Sequence, residues 1–102
     1  MRSFAFIVLA ACGATEPCPS YEADVAPVIA RSCLACHSIE VRGANRQSAP
    51  RDANYDTRED VSAQSAKIVQ RLADMPPRTS SQPRLSPSEM KVIERWQSCG
   101  NP

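Results

Sequence analysis

Residues 33 to 37 read Cys-Leu-Ala-Cys-His, the spacing by which haem is attached covalently to a polypeptide. Each thiol adds across one vinyl group of the porphyrin, and the histidine that follows at once is placed under the ring, where its imidazole nitrogen can bind the iron. Two other chemistries use a Cys-x-x-Cys pair. A structural zinc site needs four ligands, and although five Cys and one His are formally enough, Cys12, Cys18 and Cys99 offer no second close pair. A redox dithiol belongs in a βαβ setting, and no such pattern surrounds Cys33.

His37 is the only histidine, so a second protein ligand to iron would have to be another residue type, and methionine is the natural candidate. There are three, Met1, Met75 and Met90. Met1 lies in the apolar leader. Met90 falls in an amphipathic pattern, where a flexible thioether is commonly plain core. Met75 precedes Pro76 and Pro77, which end the helical pattern before them and hold the chain extended. A stiff, non-helical segment can present sulfur to iron.

These groups must be positioned by a small body. About 85 residues remain without the leader, a size with a poor ratio of core to surface. Two Phe, two Tyr and one Trp supply few large apolar side chains, and a covalently held haem would add one. Nine prolines against three glycines predict short elements joined by stiff loops.

Arg2 followed by the apolar stretch Phe4 to Ala11 predicts a targeting segment. Leu9-Ala10-Ala11-Cys12 resembles the lipobox of bacterial lipoproteins, which implies cleavage before Cys12 and lipidation of its thiol. An ordinary secretory signal cleaved nearby is the alternative, and both predict export. Eight apolar residues are too few to span a bilayer as a helix, so anchoring would be by lipid, at about 0.8 kcal/mol per buried methylene. The expected division is a signal peptide at 1–11, a tether at 12–19 whose stretch from Gly13 to Pro19 reaches about 25 Å when extended, and a folded domain at 20–102. With Cys33 and Cys36 assigned to haem and Cys12 to lipid, Cys18 and Cys99 remain; an oxidising compartment would let them pair, and two unpaired thiols are the alternative.

Asp24 can cap a helix opened by Val25 and Ala26, with Pro27 in its first turn. Val25, Val28, Ile29 and Ser32/Cys33 then follow helical spacing and deliver the pentapeptide at the C-terminal end. Ser38 to Asn54 lack periodicity and read as a long surface loop, placed to wrap a haem edge. Thr57 to Ala73 predicts one helix with Val61, Ser65, Ile68/Val69 and Leu72 on one stripe. Ser86-Pro87-Ser88-Glu89 is a capping box with proline at the first helical position. Leu85 and Met90 flank this box as a hydrophobic staple, and the helix it opens has Ile93 and Trp96 on its inner side and stops at Gly100.

A helix ending in Cys-x-x-Cys-His, a long loop, a helix, Met-Pro-Pro and a capped final helix containing Trp resembles the class I, mono-haem cytochrome c domains. Tyr21, Val25, Pro27, Val28 and Ile29, then Ala49-Pro50, Tyr55-Asp56, Leu85-Ser86 and Trp96 to Gly100, are similar to the small exported haem proteins of that class in Gram-negative bacteria. The resemblance implies an all-α fold, the small cytochrome c fold, with three or four short helices packed around one covalent haem c and a long loop between the haem motif and the axial Met. It implies covalent attachment at Cys33 and Cys36, axial ligation by His37 and Met75, and packing of Ile29, Leu72, Pro76 and Trp96 about the pocket. One departure is the lack of a surface lysine cluster, since Lys67 and Lys91 are the only lysines.

The net charge of +1 falls to zero once Arg2 is removed, so no global field steers docking, and no basic stripe with interleaved aromatics supports nucleic-acid binding. Arg42, Arg46 and Arg51 gather in the loop; they read as solvated charges, or one of them, or Arg71, as a partner for a haem propionate. The expected function is outer-sphere transfer of single electrons between redox proteins of the periplasm or membrane. A haem enzyme or ligand sensor is the alternative and needs an open sixth position and distal polar groups, for which no second histidine exists. The protein would act as a lipid-anchored monomer on the periplasmic side of a membrane or as an accessory subunit of a larger oxidoreductase.

Overall fold

The computed structural model describes residues 17–102, and the expected signal peptide and Cys12 lie outside them. Among the described residues there are four α-helices and no strand. They are α1 (Ala26–Ser32), α2 (Arg58–Ala63), α3 (Ser65–Arg71) and α4 (Pro87–Ser98), with a wide helical turn at Tyr21–Val25 leading into α1 and a 3₁₀ turn at Gly43–Arg46.

The helical path into α1 begins earlier than Asp24. Ser20 is the cap: its side chain accepts from the Ala23 amide at 3.2 Å, and Asp24 accepts from the Ser20 amide at 2.8 Å. The Val25 amide reaches back five residues to the Ser20 carbonyl. Pro27 explains the wider turn, because it has no N–H for a carbonyl four residues back and its ring crowds that position. Past it, the winding is regular, and Val25, Val28, Ile29 and Ser32 face inward with the expected spacing.

The helix expected over Thr57 to Ala73 is two helices. Thr57 caps α2 by accepting from the Asp60 amide, and the break falls at Gln64, whose φ of −109° and ψ of 12° leave the helical region. Its side-chain amide donates to the Asn54 carbonyl at 3.1 Å, so a tie to the loop competes with straight winding. The apolar stripe survives the break, with Val61, Ser65, Ile68 and Leu72 all buried.

In α4 the capping box forms in both directions: Ser86 Oγ accepts from the Glu89 amide and Glu89 Oε1 accepts from the Ser86 amide. At the far end Gly100 takes φ +92°, and the Asn101 amide closes onto the Trp96 carbonyl at 2.9 Å, which satisfies carbonyls the helix leaves open. Helix α4 packs on α3 and on the Tyr21–Val25 turn. Ile29, Leu72, Leu85, Ile93 and Trp96 share one core with the buried residues of the other elements. Trp96 is fully buried, lies 5.7 Å from the Tyr21 ring and donates its indole N–H to the Pro102 carbonyl.

Two links close the bundle at its ends. Cys18 and Cys99 lie at disulfide distance with Cα atoms 6.1 Å apart, and Arg95 donates to the Pro17 carbonyl beside them at 2.6 Å. Arg31 at the end of α1 makes a two-pronged pair with Glu89 at the start of α4, at 2.7 and 2.6 Å.

Candidate functional site

The pentapeptide continues the winding of α1 and then leaves it. The Cys33 and Leu34 amides donate to the Ile29 carbonyl, and the Cys36 and His37 amides donate to the Cys33 carbonyl. This tight turn holds Cys33, Cys36 and His37 in one short stretch, each half-buried, with both thiols unpaired. Cys33 packs against the core, and burial, aided by the adjacent Cys36 and opposed by Arg31, pushes its thiol up to about 11. An attacking thiol of a redox dithiol has its pKa depressed instead. Among the described residues, no three His, Cys, Asp or Glu side chains converge to hold a bare metal ion.

His37 is fixed by its surroundings. Its Nδ1 lies 2.7 Å from the Ala53 carbonyl; a carbonyl only accepts, so Nδ1 carries the proton and Nε2 keeps its lone pair. Burial, partly opposed by that bond and helped by the charge of Arg46, holds the ring below the ordinary imidazole range. A neutral imidazole tied at one nitrogen is the form that binds iron through the other. The Tyr55 ring stacks on it at 4.4 Å and 17°, and the Tyr55 amide donates to the His37 carbonyl. Burial raises the Tyr55 phenol above its usual range.

The loop after His37 is built around two side chains. Asp56 accepts from the Ser38 hydroxyl at 2.6 Å and the Ile39 amide at 2.8 Å, and these bonds, the hydroxyl first, hold its carboxyl below the usual carboxylate range. Arg46 is buried and spends all five N–H donors on main-chain carbonyls, those of Ser38, Val41, Ala49, Pro50 and Ala53. It has no donor left for a propionate. Arg42, Arg51 and Arg71 are exposed. An open cavity of about 600 Å³ lies within this loop, lined by Ile39, Val41, Arg42 and Arg51 among others, and none of Cys33, Cys36 and His37 borders it.

Met75 lies where the irregular segment leaves the turn after α3, half-buried, next to the buried Pro76. The guanidinium of Arg84 holds this segment from both sides, donating to the Pro76 carbonyl and, at 3.1 Å, to the Ala73 carbonyl. Met90 packs on the core from α4, whereas Met75 is not among the side chains packed there. Ile29, Leu72 and Trp96 belong to the one core, and Cys33, Leu34 and Tyr55 pack on it. The sequence does not reveal Arg84 or Ala53 as site residues, since both act on or through main-chain carbonyls, and it marks Asp56 only within the Tyr55-Asp56 pair, with no sign of its partners.

The chemistry of Cys33, Cys36 and His37, two unpaired thiols three residues apart with an imidazole that has one free nitrogen beside them, fits a covalently attached porphyrin, and Met75 offers a thioether on a separate, braced segment. Comparison with known proteins finds no matching family model, no similar curated protein and no similar solved structure.

Proposed function

We propose that the chain is a mono-haem c-type cytochrome of the small class I fold, carrying single electrons by outer-sphere transfer. The observation that carries this reading is the state of His37, whose Nδ1–H is committed to the Ala53 carbonyl directly after two unpaired thiols. Cys33 and Cys36 would hold the porphyrin through thioethers, His37 Nε2 and Met75 Sδ would bind the iron, and the haem would supply a one-electron couple. Ala53 orients the imidazole and fixes its tautomer. Arg84 holds the carbonyls on either side of Met75 and would restrain that segment while the iron changes charge.

The same proposal includes export and anchoring at Cys12, supported by Leu9-Ala10-Ala11-Cys12 and by the disulfide-distance pair, which fits an oxidising compartment. Partners are then redox proteins of the periplasm or membrane. Among the described residues no helix is long and apolar enough to cross a membrane, and lipid would carry the attachment. The test is expression with a c-type maturation system, acid-acetone extraction and a pyridine haemochrome spectrum of the protein fraction. Haem that stays with the protein and is shifted by Cys36→Ser supports the reading; haem that leaves with the solvent refutes it. Intact mass reads haem and lipid as separate increments.

A further inference from the structure

Ala53 O accepts twice: from His37 Nδ1 at 2.7 Å and from Arg46 Nη2 at 3.3 Å. We propose that Arg46 is a positioning residue that sets the donor strength of His37 through this shared carbonyl, and so raises the reduction potential of the bound iron. The inference rests on the haem reading above.

A carbonyl that accepts from the outer N–H of a ligating histidine makes the ring a stronger donor, which favours the ferric ion. A guanidinium bonded to the same oxygen draws on the same lone pairs and lessens that push. Its charge acts in the same sense. Arg46 is only 7 % exposed, so water screens it poorly, and an unscreened cation beside the ligand favours the ferrous ion. The other four acceptors, Ser38, Val41, Ala49 and Pro50, hold the guanidinium in the one pose that reaches Ala53. Loop order and ligand chemistry therefore meet at one atom.

The test compares the haem-loaded protein with Arg46→Met, Arg46→Lys and Arg42→Met. Arg46→Met should lower the midpoint potential by about 60 mV, a tenfold change in the ferrous-to-ferric ratio at fixed potential, and move the paramagnetically shifted ring-proton resonances of His37 in the ferric protein. Arg46→Lys should recover part of the potential while remaining less stable than the parent, and Arg42→Met, which removes an exposed charge from the same loop, should move the potential far less. A purely structural Arg46 would give a less stable protein with unchanged potential and unchanged His37 resonances, which overturns the inference. An Arg42→Met shift equal to that of Arg46→Met also overturns it, because general charge would then suffice. If Arg46→Met fails to mature, deuterium exchange at the His37 Nδ1 proton in Arg46→Lys decides: altered exchange supports the shared carbonyl, and a rate equal to the parent's refutes it. Failure of the haem reading shows separately, as haem lost from the unmodified protein on extraction.

Discussion

Removing the cross-link between Cys18 and Cys99 by a double Cys→Ser change should cost this domain most of its margin. The two residues are 81 apart, and the chain-entropy relation for a loop of that size gives about 4.5 kcal/mol at 25 °C. Small domains have about 5–15 kcal/mol in total. In the folded protein the Arg95 bond to the Pro17 carbonyl and the Arg58 and Trp96 bonds to residues 101 and 102 also tie the ends, but they do not restrict the unfolded chain. At about 4–8 °C per kcal/mol for a chain of this size, the melting temperature should fall by about 20 °C or more. The assay is guanidinium unfolding of the haem-loaded protein followed by far-ultraviolet dichroism, with the slope fitted separately for each variant. A slope that rises on removal of the bridge indicates a more expanded unfolded state and is part of the expectation. A stability difference below about 1 kcal/mol, or two alkylatable thiols in the native unreduced protein, would refute the reasoning.

Met75→Ala should abolish the weak ferric band that thioether sulfur gives near the red end of the spectrum and lower the potential, while Met90→Ala leaves the band and lowers stability; the reverse pattern would move the ligand to α4. Arg84→Met should weaken that band without removing it, read by the fraction of six-coordinate ferric protein. Glu89, with its carboxyl drawn from 4.5 to about 2 by Arg31 and the Ser86 amide, contributes stability that is fully present above pH 4.5 and is lost as the pH falls towards 2. Glu89→Gln should flatten the acid limb of thermal stability in that window, and an unchanged limb would contradict the pairing. Trp96→Ala should destabilise by about 3–5 kcal/mol, measured by urea unfolding.

What the sequence made legible was local. The box Ser86 to Glu89, Pro87 and Gly100 are signals contained within a few residues, and α4 begins and ends by them. The stripes on α1 and on α2–α3 were readable for the same reason, since burial follows helical spacing whether or not the helix is continuous. At the entry to α1, Ser20 and Asp24 are both competent caps, and they cooperate in a wide turn that no periodicity announces. Gln64 is a good helix former, and its bond to the Asn54 carbonyl, ten residues back, is not announced by any local signal. The loop was opaque for a deeper reason. Gln47 and Ser48 adopt positive φ without being glycine, in a turn flanked on both sides by main-chain oxygens that one arginine binds. For the proposed site, residue types and spacing mark Cys33, Cys36, His37 and Met75 as candidates, whereas the groups that would orient His37 and Met75, Ala53 and Arg84, carry no signature.

Because Arg46 grips only main-chain oxygens, the loop's shape is nearly indifferent to the side chains displayed at Val41, Ala49 and Ala53. A segment organised in this way can be rewritten on its outer face while its inner geometry persists. The exposed residues Ile39, Arg42 and Arg51 can therefore be exchanged, and the surface shown to a partner altered, without displacing the imidazole behind them. One invariant cation would make the rest of the loop open to diversification.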